Sequence, residues 1–228
     1  MIWGKTRLVG LVGDPVSGSL SPLMQNAAFA ARGLDWVYVP LPVRSEDLEN
    51  ALRGLVALGF AGANVTTPHK LAVAKLVETD ATSVNTLVFR DGRAYGWTTD
   101  AAILGGLDFE QAAILGDGGS ATSFAEALPG ADRFSRRGTW PPEVAGADLV
   151  VNATSAREEV LAELGPGQTL IDLPYPRTAT ARAAEARGAR VIDGLEVLVA
   201  QGAASFERWT GIPAPVDVMR AAVRSSLT

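Results

Sequence analysis

The sequence predicts an α/β protein built in two lobes, and three observations carry that expectation. Short apolar runs alternate with Ala- and Leu-rich helical runs: RLVGLVG, SPLMQNAAFAARG, WVYVPL, SEDLENALRGLVALG, FAGANVT and PHKLAVAKLVE. Parallel neighbours need crossover connections, so this order predicts an N-terminal lobe with a mostly parallel sheet covered by helices. A hairpin pattern at residues 82–97, TSVNTLVFRDGRAYGW, then breaks the alternation, and a second strand–helix series follows. That series opens with AAILGDGGSATSFAEAL, a strand, a glycine loop and a helix, which makes the second lobe Rossmann-like. The expected division is 1–100 plus 195–228 for the first lobe and 101–194 for the second.

The elements follow from local chemistry. Ser21 and Ser45 are expected to cap the first two helices, with Pro22 at the first helical position, where a missing N–H is harmless. Pro68 biases Thr67 toward extended backbone and can open a helix, so Asn64, Thr66 and Lys70 span a strand end and a first helical turn. Asp91-Gly92 favours the tight turn of a hairpin. The second series continues through ADRFS, ADLVVNAT, QTLIDLPY, TATARAAEARG and ARVID. Only GTWPPEVAGA separates Arg137 from the strand at Asp148, barely the dozen or so residues a parallel crossover requires, so a proper helix is not expected there. In GLEVLVAQGAASFERW, steps of about 100° gather Leu195, Leu198, Val199, Gly202, Phe206 and Trp209 into one arc, with Gln201 at its border.

Composition narrows the chemistry. The 228 residues are 47% hydrophobic, enough for one large core or two modest ones. No run approaches the roughly 20 apolar residues of a membrane helix, and the first residues lack a signal-peptide pattern, so a cytoplasmic protein is expected. With no cysteine and one histidine, thiolate and His-cluster metal sites are excluded, and acid–base work falls to Lys, Asp, Glu or Tyr. A net charge of −5 with scattered arginines argues against nucleic acid and for a small-molecule partner.

Gly116, Gly118 and Ala121 fit the G-x-G-x-x-G/A spacing. The first glycine permits a tight turn, the second lets backbone approach a pyrophosphate, and the small third residue lets helix pack on strand. About 20 residues on, an NAD enzyme presents an acidic residue to the ribose, whereas this chain has Ser135-Arg136-Arg137, which favours NADP. Asp117 cuts the other way, because a carboxylate in a phosphate loop weakens binding unless it turns outward. The GKT at residues 4–6 lacks the upstream glycine of a P-loop.

Ligands of parallel α/β sheets sit at the carboxyl ends of strands, and Lys70 lies at one such end. A lysine near a helix N-terminus opposes the helix dipole, which hints at purpose, although a solvated surface lysine fits the same residues. His69 has no second ligand or nucleophile to work with and reads as structural. Asp100, after Thr98 and Thr99, either caps the next turn or takes part in chemistry.

Over nearly its whole length the chain resembles the shikimate dehydrogenase family. The segments that carry the likeness are GDPVSGSLSPLMQN, GANVTTPHK, SVNTLVF, GWTTDA, ILGDGGSA, FSRR, NATS, IDLPYPRTAT and DGLEVLVAQGAASFERWTG, in the family's order. The resemblance implies a substrate lobe and an NADP lobe facing one cleft, with reversible reduction of 3-dehydroshikimate to shikimate as the reaction. By matching position, Ser19 and Ser21 would bind the substrate carboxylate, and Asn64, Thr66, Asn85 and Gln201 the ring hydroxyls. Lys70 and Asp100 match the catalytic pair, and Tyr175 matches a tyrosine near the substrate. Gly116, Gly118, Gly119, Ser120 and Ala121 would hold the pyrophosphate of NADP, Ser135, Arg136 and Arg137 its 2′-phosphate, and Ala153, Thr154 and Gly194 the rest of the cofactor. No metal is required, and a monomer or homodimer is expected.

Hydride transfer at a secondary alcohol needs a proton moved at the oxygen, a task a lysine can perform. Desolvation lowers an ammonium pKa and a carboxylate raises it, so Asp100 is expected to orient Lys70 and bind a hydroxyl. Departures from the family pattern are Gly18 and Gln25 where His is usual, Thr98 for Asn, Val197 for a methionine, and missing material before SVNTLV and after SRR. A quinate-acting relative and a ligand-binding protein without catalysis remain the alternatives.

Overall fold

The computed structural model describes residues 2–226 and divides into two compact units, Met1–Thr99 with Val199–Thr228, and Asp100–Leu198. In the first unit, β1 (Arg7–Gly13) runs parallel to β2 (Trp36–Pro42) on one side and β3 (Gly62–Val65) on the other. The hairpin β4 (Thr86–Arg90) and β5 (Arg93–Trp97) continues the sheet antiparallel, in the order β2-β1-β3-β4-β5. Asp91 and Gly92 have φ of 52° and 72°, the two left-handed residues that an Asp-Gly turn supplies between right-twisted strands.

One face of this sheet is filled by Val12, Ala63, Val65, Val84 and Leu87 with Leu48, Leu52 and Leu55 of α2 (Leu48–Ala57). On the other, Phe29 of α1 (Ser21–Ala31) stacks on Phe206 of the long helix at Gly194–Thr210, ring centroids 5.4 Å apart. Trp209 packs against Tyr38 and donates from Nε1 to the Leu87 carbonyl at 2.8 Å. The apolar arc read from the sequence is thus the buried face of that helix, except that Leu198 is only half-buried.

Two local expectations are corrected. Ser21 and Ser45 do not cap: Ser21 is itself the first residue of α1, Ser45 opens a 3-10 turn, and neither helix start has a side-chain cap. PHKLAVAKLVE yields only one α-helical turn, α3 (Lys70–Val73). Beyond it the chain is drawn to the sheet edge, where the Glu78 carbonyl accepts from Gly96 N–H at 2.9 Å and Glu78 N–H donates to the Ala94 carbonyl at 3.0 Å.

The second unit holds five strands, β6 (Ala112–Leu115), β7 (Asp132–Phe134), β8 (Leu149–Asn152), β9 (Thr169–Asp172) and β10 (Arg190–Ile192). All pairs are parallel, in the order β10-β9-β8-β6-β7. The order reverses between β6 and β8, and ligands of open α/β sheets bind outside the carboxyl ends at such a point. Helix α4 (Gly119–Ala127) packs Ala121 and Phe124 onto Ile114, Val151 and Ile171, and α5 (Ala179–Ala186) lies against the opposite core. As expected, no helix connects β7 to β8. Val144 and Ala147 of that irregular crossover cover the sheet instead, and Gln168 Nε2 donates to both their carbonyls, at 2.9 and 2.7 Å. The helix Gly194–Thr210, α6, begins in the second unit and ends in the first, and α7 (Val216–Ser225) packs on α1.

Candidate active site

The first unit gathers polar residues at one edge of its sheet. The parallel strands β1 and β3 end there, so the segment after β1 carries Ser19 and Ser21 and the segment after β3 carries Thr66 and Lys70. Thr66 N–H donates to Val12 O at 2.8 Å and Asp14 N–H to Thr67 O at 3.1 Å, which holds the two segments together. Because β4 is antiparallel, its start lies at the same edge: Val65 N–H donates to Asn85 O at 2.8 Å and Val84 N–H to Lys70 O at 3.1 Å. Lys70 is only 8% exposed, an unusual placement for a lysine. Ser19 Oγ accepts from Ser21 N–H at 3.2 Å. His69 is buried with Nε2 2.6 Å from the Val43 carbonyl, pinning the loop to the end of β2, which is the structural role its sequence suggested.

Below this edge lies a closed polar cluster. Tyr38 OH donates to Asn64 Oδ1 at 2.9 Å, and Asn64 Nδ2 lies within 3.0–3.2 Å of Asn85 O, Ser205 Oγ and Thr86 Oγ1. The two Asn64 amide hydrogens have three acceptors inside the unit, while Oδ1 takes one bond from Tyr38 and keeps a second lone pair suited to a ligand hydroxyl. Asn64 thus braces this cluster from β3. Asn85 Oδ1 accepts from Thr99 N–H at 2.8 Å and from Thr86 Oγ1 at 2.9 Å, and Asn85 Nδ2 donates to Thr99 Oγ1 at 3.0 Å. Thr99 is thereby fixed directly before Asp100, which is 6% exposed and opens the second unit. Ser205 Oγ donates to Gln201 O, one turn back along α6, at 2.9 Å.

In the second unit the glycine loop sits at the switch point. Gly116 has φ of +125°, and a Cβ there would lie 2.9 Å from the carbonyl oxygen of Ala153, the residue after β8. Gly118 is the extended residue at the start of α4 with open space around it, Gly119 and Ser120 form the first turn, and Ala121 is fully buried under the helix. Backbone N–H groups at a helix start in an open glycine loop suit a pyrophosphate. Asp117 is turned outward, with Oδ2 3.8 Å from Arg137 Nη1. Ser135 and Arg136 follow β7; Arg136 pairs with Glu159 and lies over the Trp140 ring, 5.5 Å from its centroid.

Sequence patterns carry no sign of what braces the neighbouring loops. Asn152 Nδ2 donates to buried Asp172 Oδ1 at 2.7 Å while Asn152 Oδ1 accepts from Thr154 Oγ1 at 2.8 Å. Burial pushes the Asp172 carboxyl above its ordinary 3.8, and the hydrogen bonds from Asn152 and Thr178 oppose that shift. Asp193 Oδ1 accepts from Leu195 and Glu196 N–H, both at 3.1 Å, and caps α6. Gly194 beside it is required by close approach, since a Cβ would run into the carbonyls of Leu173 and Pro174, and half-buried Tyr175 follows directly on Pro174.

A parallel sheet ending in a nucleotide-type glycine loop, joined to an α/β unit with a buried lysine at its strand ends, defines a dinucleotide-dependent α/β enzyme architecture. Two family models match: the shikimate dehydrogenase substrate binding domain over residues 11–87 and the shikimate 5′-dehydrogenase C-terminal domain over residues 194–224. The chain is 40% identical to the NADP shikimate dehydrogenase of Anaeromyxobacter dehalogenans (strain 2CP-1), covering 97% of each chain. Among solved structures, one of a shikimate dehydrogenase in complex with NADP+ is 30% identical with TM-score 0.88, covering 100% of this chain and 98% of that one. The shikimate 5-dehydrogenase of Thermus thermophilus, in complex with NADP(H) and shikimate, is 29% identical with TM-score 0.85, covering 96% of this chain and 99% of that one. This chain belongs to the shikimate dehydrogenase family. The alignment with the Anaeromyxobacter enzyme runs over 271 positions against 228 residues here, so that relative carries segments this chain lacks.

Proposed function

We propose that the protein is an NADP-dependent shikimate dehydrogenase that interconverts shikimate and 3-dehydroshikimate, in the cytoplasm and in aromatic amino acid biosynthesis. The observation that carries this is the end-to-end 40% identity to an NADP shikimate dehydrogenase, in a chain that keeps a buried Lys70 at the strand-end cluster. Among the described residues no helix is long and apolar enough to cross a membrane.

The glycine loop fits the cofactor. Gly116 leaves the loop the room that a side chain would take, α4 begins at Gly118 in open space, and Asp117 is turned toward Arg137. Gly116, Gly118, Gly119, Ser120 and Ala121 would hold the pyrophosphate, Ser135, Arg136 and Arg137 the 2′-phosphate, and Ala153, Thr154 and Gly194 the remainder. Bound NADP supplies hydride acceptance, and in its reduced form hydride donation.

The protein's own residues do the rest. Ser19 and Ser21 bind the substrate carboxylate by their hydroxyls, and Asn64, Thr66, Asn85, Gln201 and Tyr175 bond ring oxygens. Lys70 Nζ takes the hydroxyl proton as the carbinol carbon gives up hydride and becomes a ketone carbon. In the reverse direction Nζ returns that proton to the oxygen. Asp100 accepts from a ring hydroxyl and holds the ring in register. The test is nicotinamide absorbance with shikimate or quinate and NADP or NAD. Turnover confined to shikimate with NADP supports the assignment, and faster turnover of quinate transfers it to that acid.

A further inference from the structure

The polar cluster of the first unit contains three residues that the proposed chemistry does not use. Tyr38, Thr86 and Ser205 are 2%, 0% and 0% exposed, and each hydrogen-bonds within the cluster that carries Asn85 and Gln201. We propose that they are positioning residues: they fix the Asn85 amide and the α6 backbone at Gln201, and so set the affinity for the substrate ring. This rests on the substrate proposed above.

Proton accounting supports it. A backbone N–H can only donate, so Thr99 N–H at 2.8 Å fixes the near atom of Asn85 as Oδ1. A backbone carbonyl can only accept, so Asn85 O at 3.0 Å fixes the near atom of Asn64 as Nδ2. Ser205 gives its one hydrogen to Gln201 O and therefore accepts from Asn64 Nδ2 at 3.0 Å, with Thr86 and Thr99 Oγ1 a further 2.8 and 3.2 Å away. Thr86 Oγ1 also lies 2.9 Å from Asn85 Oδ1, so its single hydrogen serves either Ser205 or Asn85. The Ser205 hydroxyl and both amides thus have a set direction, with Asn85 Oδ1 turned to Thr99 N–H inside the cluster. Tyr38 closes the set from β2 by holding Asn64 Oδ1. Removing one member frees an amide or a helix turn to rotate, and the loss appears where the ring is held, with the hydride step itself unaltered.

Tyr38→Phe, Ser205→Ala and the double variant test this in the full-length protein. Steady-state kinetics with shikimate and NADP, calorimetric titration of shikimate without cofactor, and thermal melting are measured for each. Each single variant should raise the shikimate KM and Kd about three- to tenfold, the scale of one hydrogen bond, with the NADP KM unchanged and kcat falling less than about threefold. The double variant should show less than the product of the two single effects, because the groups act through one network. Lower melting temperatures with unchanged shikimate KM and Kd would overturn the proposal and leave the cluster a purely structural one. Wild-type protein that neither binds nor oxidises shikimate would overturn the substrate assignment first and this inference with it.

Discussion

Gly116→Ala tests the cofactor loop without altering charge. At φ of +125° a residue with a Cβ is strained, and its Cβ would sit 2.9 Å from the Ala153 oxygen and 3.1 Å from the Ala153 carbonyl carbon. The backbone term costs about 1–3 kcal/mol and crowding against a backbone group about 1 more, giving about 2–4 kcal/mol in all. The chain can relieve this only by moving the loop away from Ala153-Thr154 or by shifting that segment, and both hold positions assigned to NADP. Denaturant unfolding and NADP titration read the two consequences. The variant should unfold at lower denaturant and bind NADP at least about tenfold more weakly, more than a loss of about 1.4 kcal/mol. Shikimate affinity should be retained, since Ser19, Thr66 and Lys70 lie in the other unit. Unchanged unfolding together with NADP affinity within about twofold would refute the close approach and the loop's role.

Two further outcomes follow from charges in the second unit. Arg136 is held by Glu159 and Trp140, whereas Arg137 is 89% exposed at its side chain and reaches the Asp117 carboxylate at the limit of an ion pair. Arg136→Ala should therefore raise the NADP KM more than Arg137→Ala, with the NAD KM unmoved by either; no effect from both substitutions would remove the 2′-phosphate assignment. Asp148 accepts from Glu110 and Gln111 N–H at 2.8 and 2.9 Å, and those bonds hold its carboxyl below 3.8. A lowered folded-state pKa adds stability that is present above 3.8 and lost as pH falls through the folded value. The melting-temperature gap between wild type and Asp148→Asn should be open at neutral pH and close as pH drops below 3.8; a gap constant through the acid range contradicts this.

The strands and long helices were legible because period-2 and period-3.6 patterns mark burial directly, and Asp91-Gly92 and the Gly116 loop carry backbone requirements that few other residues meet. Where tertiary pairing overrides local pattern the sequence misled: the helical run after Lys70 stops at Val73 because the chain is drawn to the edge of β5, and Ser21 sits inside its helix. The bracing at Asn64 was hidden, because nothing in GANVTTPHK reveals that Tyr38, Thr86 and Ser205 converge on it from three other elements. The departures at Gln25 and Thr98 were visible, but their surroundings were not: Gln25 Oε1 and Thr98 Oγ1 are buried without a hydrogen-bond partner among the described residues.

The most direct test of the central claim is shikimate oxidation followed by NADPH absorbance in wild type and Lys70→Ala, with calorimetric shikimate binding measured on both. Turnover in wild type that falls at least about a hundredfold in the variant, with binding kept within about tenfold, is the predicted result, since a general base contributes on that scale. A variant that turns over shikimate nearly as fast as wild type would contradict the account and move the proton transfer away from Lys70.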